Sequence, residues 1–242
     1  VVTGDLWRDN PHERLEEFMR YSVEQCGSFG VPWAFAWGNH DQLNDYNEGH
    51  KALTAANNSL YRGSDSGGNY AVDIVNHRGK CVWQLLFLNS EGTGICAKQQ
   101  DWMREFAKTE SNKPVPKFAF FHIPLKQYVD VWTSGKATGY KAEEPCIEQE
   151  NGSSLSVLKQ IGVTACFCGH DHVNDYSGVV DGVDLVYGRA SGRGGYGALN
   201  LAKGGKLITL NCKTGKYEWE SVLPDGRRWR PKAGEHIEEG KK

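Results

Sequence analysis

The sequence predicts an α/β fold of two stacked mixed β-sheets flanked by helices. Three observations carry that prediction. Short apolar runs alternate with helical periodicities over the first two-thirds of the chain, the pattern of strands joined by crossover helices. After Cys168 the helical pattern stops, and apolar runs separated by Gly and Asn turns replace it, as in a β-meander. The 242 residues are also enough to bury one full core, so a single large domain over residues 1–223 is the natural count, followed by a charged tail over 224–242.

The elements follow in order. Val1-Val2-Thr3 reads as the end of a strand that delivers Asp5. Leu15, Phe18, Met19 and Val23 recur at helical spacing and predict a helix over 15–26. Pro32 opens an apolar strand, Trp33 to Trp37, which delivers Asn39 and His40; a strand apolar throughout is expected to be covered on both faces. Residues 70–75 and 81–88 read as a strand pair around the turn Asn76-His77-Arg78-Gly79. An amphipathic helix over 98–109 carries Trp102, Met103 and Phe106, and a strand over 117–121 delivers His122. The polar stretch 134–152 is the longest expected loop and a candidate substrate-facing insertion. A helix over 154–161 precedes a strand over 163–168, which delivers His170 and His172. Strands are then expected at 183–187, 196–201, 206–210 and 216–222, with the tail from Pro224 on the surface or frayed.

Composition narrows the function. Lys and Arg (28) nearly balance Asp and Glu (30), for a formal charge of -2, so neither a nucleic-acid surface nor a membrane surface is expected. The longest apolar runs are too short to span a bilayer. The seven cysteines cannot all pair, and Cys166 and Cys168, two apart on a strand, are expected to share a buried face. His12, His50, His77 and His236 lie in polar segments and are expected to be solvated. The stretch Gly188 to Gly197 is read as a glycine-rich turn in preference to a phosphate cradle, because it lacks the Lys-Ser/Thr ending of a nucleotide loop. Compartment is not indicated.

Four phrases carry chemistry: Gly4-Asp5, Gly38-Asn39-His40-Asp41, His122-Ile123-Pro124 and Gly169-His170-Asp171-His172. Each follows a short apolar run, so each is expected on a loop leaving a strand end, where metal sites of α/β sheets are assembled. Asn39 offers a neutral oxygen, and His40 beside it points elsewhere, so one side chain can hold metal while its neighbour faces substrate. The i, i+2 spacing of His170 and His172 projects both rings to one side if the backbone is extended.

In this order the phrases resemble the calcineurin-like metallophosphoesterase superfamily, and residues 169–176 are most similar to its short, purple-acid-phosphatase-related branch. The resemblance runs from Val1 to about Val222 and implies a four-layer α/β/β/α sandwich. It implies Asp5 as a ligand bridging two metals, Asn39, His122 and His170 on the second metal, His172 on the first, and His40 beside the scissile phosphate. Asp41 or Asp9 would orient His40, and the residues do not choose between them. The cofactors expected are two divalent or mixed-valence ions, with Mn, Fe, Zn and Co all compatible with mixed N/O ligands.

The superfamily's opening Asp-x-His phrase does not occur in these 242 residues, which begin at Val1 in mid-strand. The expectation is a fold lacking its first strand, a first metal short of two ligands, and impaired activity. Purple acid phosphatases also place a Tyr ligand three residues after the bridging Asp, where this chain has Arg8. The implied function is a metal-dependent phosphoesterase, a phosphomonoesterase before a diesterase, in which a hydroxide bridging the two metals attacks phosphorus in line. Its partner would be a small phosphorylated substrate or a phosphoprotein. The alternative is a non-catalytic metal- or phosphate-binding module on the same fold.

Overall fold

Alternation of side chains along the strands divides the chain between two cores. The computed structural model describes residues 1–8, 12–198 and 200–239. Its large sheet has eight strands: β1 (Tyr70–Val75), β2 (Cys81–Phe87), β3 (Lys117–Phe120), β4 (Thr138–Lys141), β5 (Val163–Cys168), β6 (Asn174–Val180), β7 (Val183–Tyr187) and β11 (His236–Glu238), in the order β1-β2-β3-β5-β7-β6-β4-β11. β2, β3, β5 and β7 run parallel at its centre, with antiparallel pairs at β1–β2, β7–β6 and β6–β4. Ala119, Phe121, Cys166 and Cys168 face one way, into a core with Met103, Tyr128, Trp132 and Leu158. Phe118, Phe120, Ala165 and Phe167 face the other way, into a core with Trp33, Phe35, Trp37 and Trp219. That period of two is the strand pleat.

Helices α3 (Ala97–Lys108), α4 (Lys126–Thr133) and α5 (Ser154–Gln160) cover the first face. Beyond the second face lies another sheet, β8 (Gly205–Asn211), β9 (Lys216–Val222) and β10 (Arg228–Trp229), ordered β10-β9-β8 and antiparallel throughout. Two extended segments share that layer, with Val2 bridged parallel to Phe35 and Trp33 to Ser59. Helices α1 (Leu15–Ser28) and α2 (Tyr46–Ala55) pack outside through Leu15, Met19, Val23 and Leu53. The result is an α/β/β/α arrangement of one large mixed sheet and a second, smaller one.

Several elements differ from expectation. The helices α2 and α4 and the strands β4, β6, β10 and β11 are additional. The stretch 134–152 is not structureless, because β4 crosses it and pairs with β6. The strand expected at 196–201 is reduced to one bridge, Ala198 to Leu201, with Leu199 outside the described residues; glycine turn chemistry at Gly195 and Gly197 overrides the apolar pattern. The tail does not simply fray. β10 joins β9, and β11 adds in parallel beside β4 while remaining exposed. Cys166 and Cys168 are buried free thiols.

Candidate metal centre

Strand register brings the four phrases to one end of the molecule. In the large sheet Phe120 lies opposite Phe167 on parallel strands. His122 and His170 therefore leave their strands side by side. In the second layer the Val2–Phe35 bridge does the same for Asp5 and Asn39. Each layer thus delivers two side chains past the carboxyl ends of its strands, the usual place for a site in such sheets. A bond between layers fixes the arrangement: His122 Nδ1 lies 2.7 Å from the carbonyl oxygen of Thr3.

That contact settles the tautomer. A carbonyl only accepts, so Nδ1 carries the proton and Nε2 of neutral His122 presents a lone pair. Around Nε2 stand Asn39 Oδ1 at 2.9 Å, His170 Nδ1 at 3.0 Å and Asp5 Oδ2 at 3.2 Å, and Asn39 Oδ1 is 3.0 Å from His170 Nδ1. Four lone-pair donors therefore converge where at most one proton is available. Burial opposes charging His122, yet hydrogen bonding and charge from Asp5, with the Thr3 carbonyl, raise its pKa above the ordinary value. Burial first, then the neighbouring His122, pushes His170 down to about 4, so its ring is neutral at pH 7. Burial alone would raise Asp5, but His122 and His40 hold it below the usual range. A tetrahedral cation with bonds of about 2.0–2.1 Å needs donors roughly 3.3 Å apart. The donor set fits a divalent ion of the Mn, Fe, Co or Zn type.

Backbone conformation marks the same residues. Six described non-glycine residues have positive φ, and Asp5 (57°) and His170 (72°) are two of them. Such strain concentrates at sites where geometry is imposed from outside the residue.

The other expected residues are placed as follows. His40 borders a cavity of about 730 Å3 that also touches Asp5, His122, His170 and His172. Its backbone N–H donates to Asp5 Oδ1 at 3.0 Å, and among the described residues its ring has no hydrogen-bond partner. Asp41 does not orient His40. Its carboxylate is fully buried and accepts from the amides of Asp5 (2.8 Å), Gly38 (2.7 Å) and Leu6 (2.7 Å), tying the two ligand loops together. Burial, then the charge of Asp5, pushes its pKa up to about 7. Asp9 lies outside the described residues, as does the side chain of His12.

His172 stands apart from the four donors. The left-handed turn at His170 breaks the extended backbone that the i, i+2 argument needs. The His172 ring stacks on Tyr196 at 4.2 Å and 18°, and its buried Nδ1 has no hydrogen-bond partner among the described residues. Tyr196 is held by its hydroxyl, which donates to Glu143 at 2.7 Å.

Arg8 is exposed and donates to the Gly194 carbonyl at 3.2 Å, joining the Asp5 loop to the glycine-rich loop along the cavity wall. Arg189 is not available to a phosphate, because its buried Nε bonds Asp175 at 2.5 Å. Residues that the sequence reading passed over include Asp171, which accepts from Tyr187 (2.6 Å) and from the Cys146 amide. Its place between two histidines was the available signal. His50, expected to be solvated, is buried, with Nδ1 2.7 Å from the Tyr61 hydroxyl. His236 stacks on Trp132 at 3.8 Å but remains exposed, as His77 does.

Among known proteins, the chain is similar to one named probable inactive purple acid phosphatase 28, from Arabidopsis thaliana. The two are 26% identical over 258 residues, 92% of this chain and 65% of that one. It is also 28% identical to phosphatase DCR2 of Saccharomyces cerevisiae over 207 residues, 73% of this chain and 36% of that one. The chain spans about three-fifths of the length of the plant relatives it matches. A solved dimetal phosphatase from Danio rerio aligns over 92% of each chain with a TM-score of 0.42 and 11% identity. The family description "Calcineurin-like phosphoesterase" matches residues 1–174, the span that contains all four phrases, and the chain belongs to that family.

Proposed function

We propose that this chain is a metal-dependent phosphoric ester hydrolase acting on a small phosphomonoester or a phosphorylated protein side chain, with a cation held by Asp5, Asn39, His122 and His170. The observation that supports this reading is the convergence of four lone-pair donors, three of them (Asp5, His122 and His170) lining the cavity that His40 also borders. A divalent ion in such a set supplies Lewis acidity toward a phosphoryl oxygen and acidifies water. The remaining work falls to the protein. Asn39 adds a ligand without adding negative charge against an anionic substrate. Arg8, Arg193 and Lys203 border the same cavity and favour an anion there. His40, whose ring has no hydrogen-bond partner among the described residues, donates a proton to the leaving oxygen. In the dinuclear form of the proposal, a second cation would be held by Asp5 together with His172, whose ring would have to leave its stack on Tyr196 to reach it.

His40→Ala should leave metal content unchanged and lower turnover of p-nitrophenyl phosphate by about 10²–10⁴-fold, the span of general acid–base contributions. Loss of a metal equivalent in that variant would show that His40 is a ligand and that the assignment is wrong.

The iron-loaded protein should show no intense visible tyrosinate band. Arg8 cannot ligate, the Tyr196 hydroxyl beside His172 is engaged with Glu143, and Tyr128 is buried in the core with its hydroxyl on the Cys166 carbonyl. A purple iron-loaded protein would contradict this.

One observation favours a second reading, a non-catalytic metal-binding module. His172 lies outside the close-set ligand atoms of Asp5, His122 and His170, beneath Tyr196. Under that reading the protein retains one equivalent of metal and binds inorganic phosphate, but hydrolyses no phosphomonoester with Mn, Zn, Co or Fe.

A further inference from the structure

A second set of ligand-type atoms lies beside the four donors. One atom each from Cys146, Glu148 and His170 lie within 4.8 Å of one another. Cys146 and Glu148 are exposed, so the set is open to ions from solvent. Its geometry is held from below: the Cys146 amide donates to both carboxylate oxygens of buried Asp171, at 3.1 and 3.3 Å, and Asp171 directly follows His170. Cys146 Sγ lies 3.2 Å from Glu148 Oε1, and the thiol has no disulfide partner.

We propose that Cys146, Glu148 and His170 form a distinct cation site for thiophilic divalent ions such as Zn2+ or Cd2+, and that it competes with the four-donor site for His170. Thiolate, carboxylate and imidazole together make a zinc-type ligand set, with water completing four-coordination. The thiolate is what separates this site from the all-N/O set beside it, because soft ions favour sulfur. On binding, the S–H bond breaks, the sulfur–metal bond forms, and the proton passes to solvent. Neutral imidazole has one lone pair, so His170 serves one cation at a time. An ion seated on Cys146 and Glu148 therefore withdraws a ligand from the four-donor site, and excess thiophilic metal inhibits. Only this inhibition rests on the function proposed above; the site itself does not.

Titration with Co2+ separates the two sites optically. Beyond the first equivalent, a thiolate-to-cobalt charge-transfer band should grow in the near ultraviolet with the intensity of a single thiolate. Cys146→Ser should remove that band and keep the visible ligand-field bands. Glu148→Gln should shift its midpoint to higher Co2+. In turnover assays, Cys146→Ser should raise the half-inhibitory Zn2+ concentration by about tenfold or more, as loss of the only soft ligand requires. A thiolate band that persists in Cys146→Ser, or none in the unmodified protein at saturating Co2+, overturns the proposal. Missing ligand-field bands would count instead against the four-donor site, leaving the thiolate band to decide this one.

Discussion

His122→Ala should abolish tight binding of the proposed cation and lower phosphomonoester turnover by about a thousandfold or more, because under the proposed function that ion would supply the main electrostatic stabilisation of the reacting phosphate. His122 stands at the middle of the donor set, with Asn39, His170 and Asp5 all within 3.2 Å of its Nε2. It is also the side chain that joins the two layers, through the Thr3 carbonyl. Alanine removes both at once, leaving a buried void and an unpaired carbonyl. Metal analysis after exhaustive dialysis should fall from about one equivalent to near zero, as expected when a four-ligand site loses its central member. Circular dichroism separates this from unfolding, since the large sheet's cores do not depend on the His122 ring. Thermal stability should then respond to added metal in the unmodified protein but not in the variant, because an ion that binds only the folded state stabilises by mass action. A folded His122→Ala protein that keeps its metal would sink the proposed ligand set.

Much of the fold was legible because burial imposes a period of two on the central strands. The bounds of β1, β5, β7 and β9 coincide with those read from the apolar runs. The helix α4 was also readable, since Tyr128, Val131 and Trp132 recur at i, i+3 and i+4, but its eight residues sit inside a stretch dominated by Pro124 and Gly135. β6 hid for a different reason. It opens on Asn174 and Asp175, and Asp175 is buried only because Arg189, Lys206 and Ser221 neutralise and bond it from elsewhere in the chain. No local window contains that information. The same limit applies at the site. Strand-end position marks Asp5, Asn39, His122 and His170 only as candidates, and it is their joint order, through the superfamily resemblance, that singles them out as a set. The direction of His172 depends on a left-handed residue two positions earlier, and the partners of Asp41 depend on how two loops meet.

Gly38→Ala should cost the protein both its cation and a substantial part of its stability, although the change adds one methyl group. The ligand loops touch through their backbones at this point. A Cβ on Gly38 would lie 2.3 Å from Asp5 Oδ1, 2.5 Å from Asp5 N and 3.1 Å from Asp41 Oδ2. None of these can yield cheaply. Asp5 Oδ1 accepts from the His40 amide, Asp5 Oδ2 faces His122, and Asp41 Oδ2 accepts from both Asp5 N and Gly38 N. The methyl group must therefore push Asp5 away from His122 or separate the loops that Asp41 ties. Overpacking of this kind costs roughly 1–3 kcal/mol, and breaking the bonds to buried Asp41 adds to it. For a chain of this size that corresponds to a fall in Tm of roughly 5–10 °C. Gly38 is a cleaner test than Gly4, whose φ of +93° would add backbone strain to the clash. Gly192→Ala is the control: that glycine borders the same cavity, yet a Cβ there meets nothing within 4 Å. It should keep the melting temperature and metal content of the unmodified protein. If Gly38→Ala behaves like Gly192→Ala in both measurements, then Asp5 is not pinned between the loops, and the four-donor arrangement loses the contact that holds it in place.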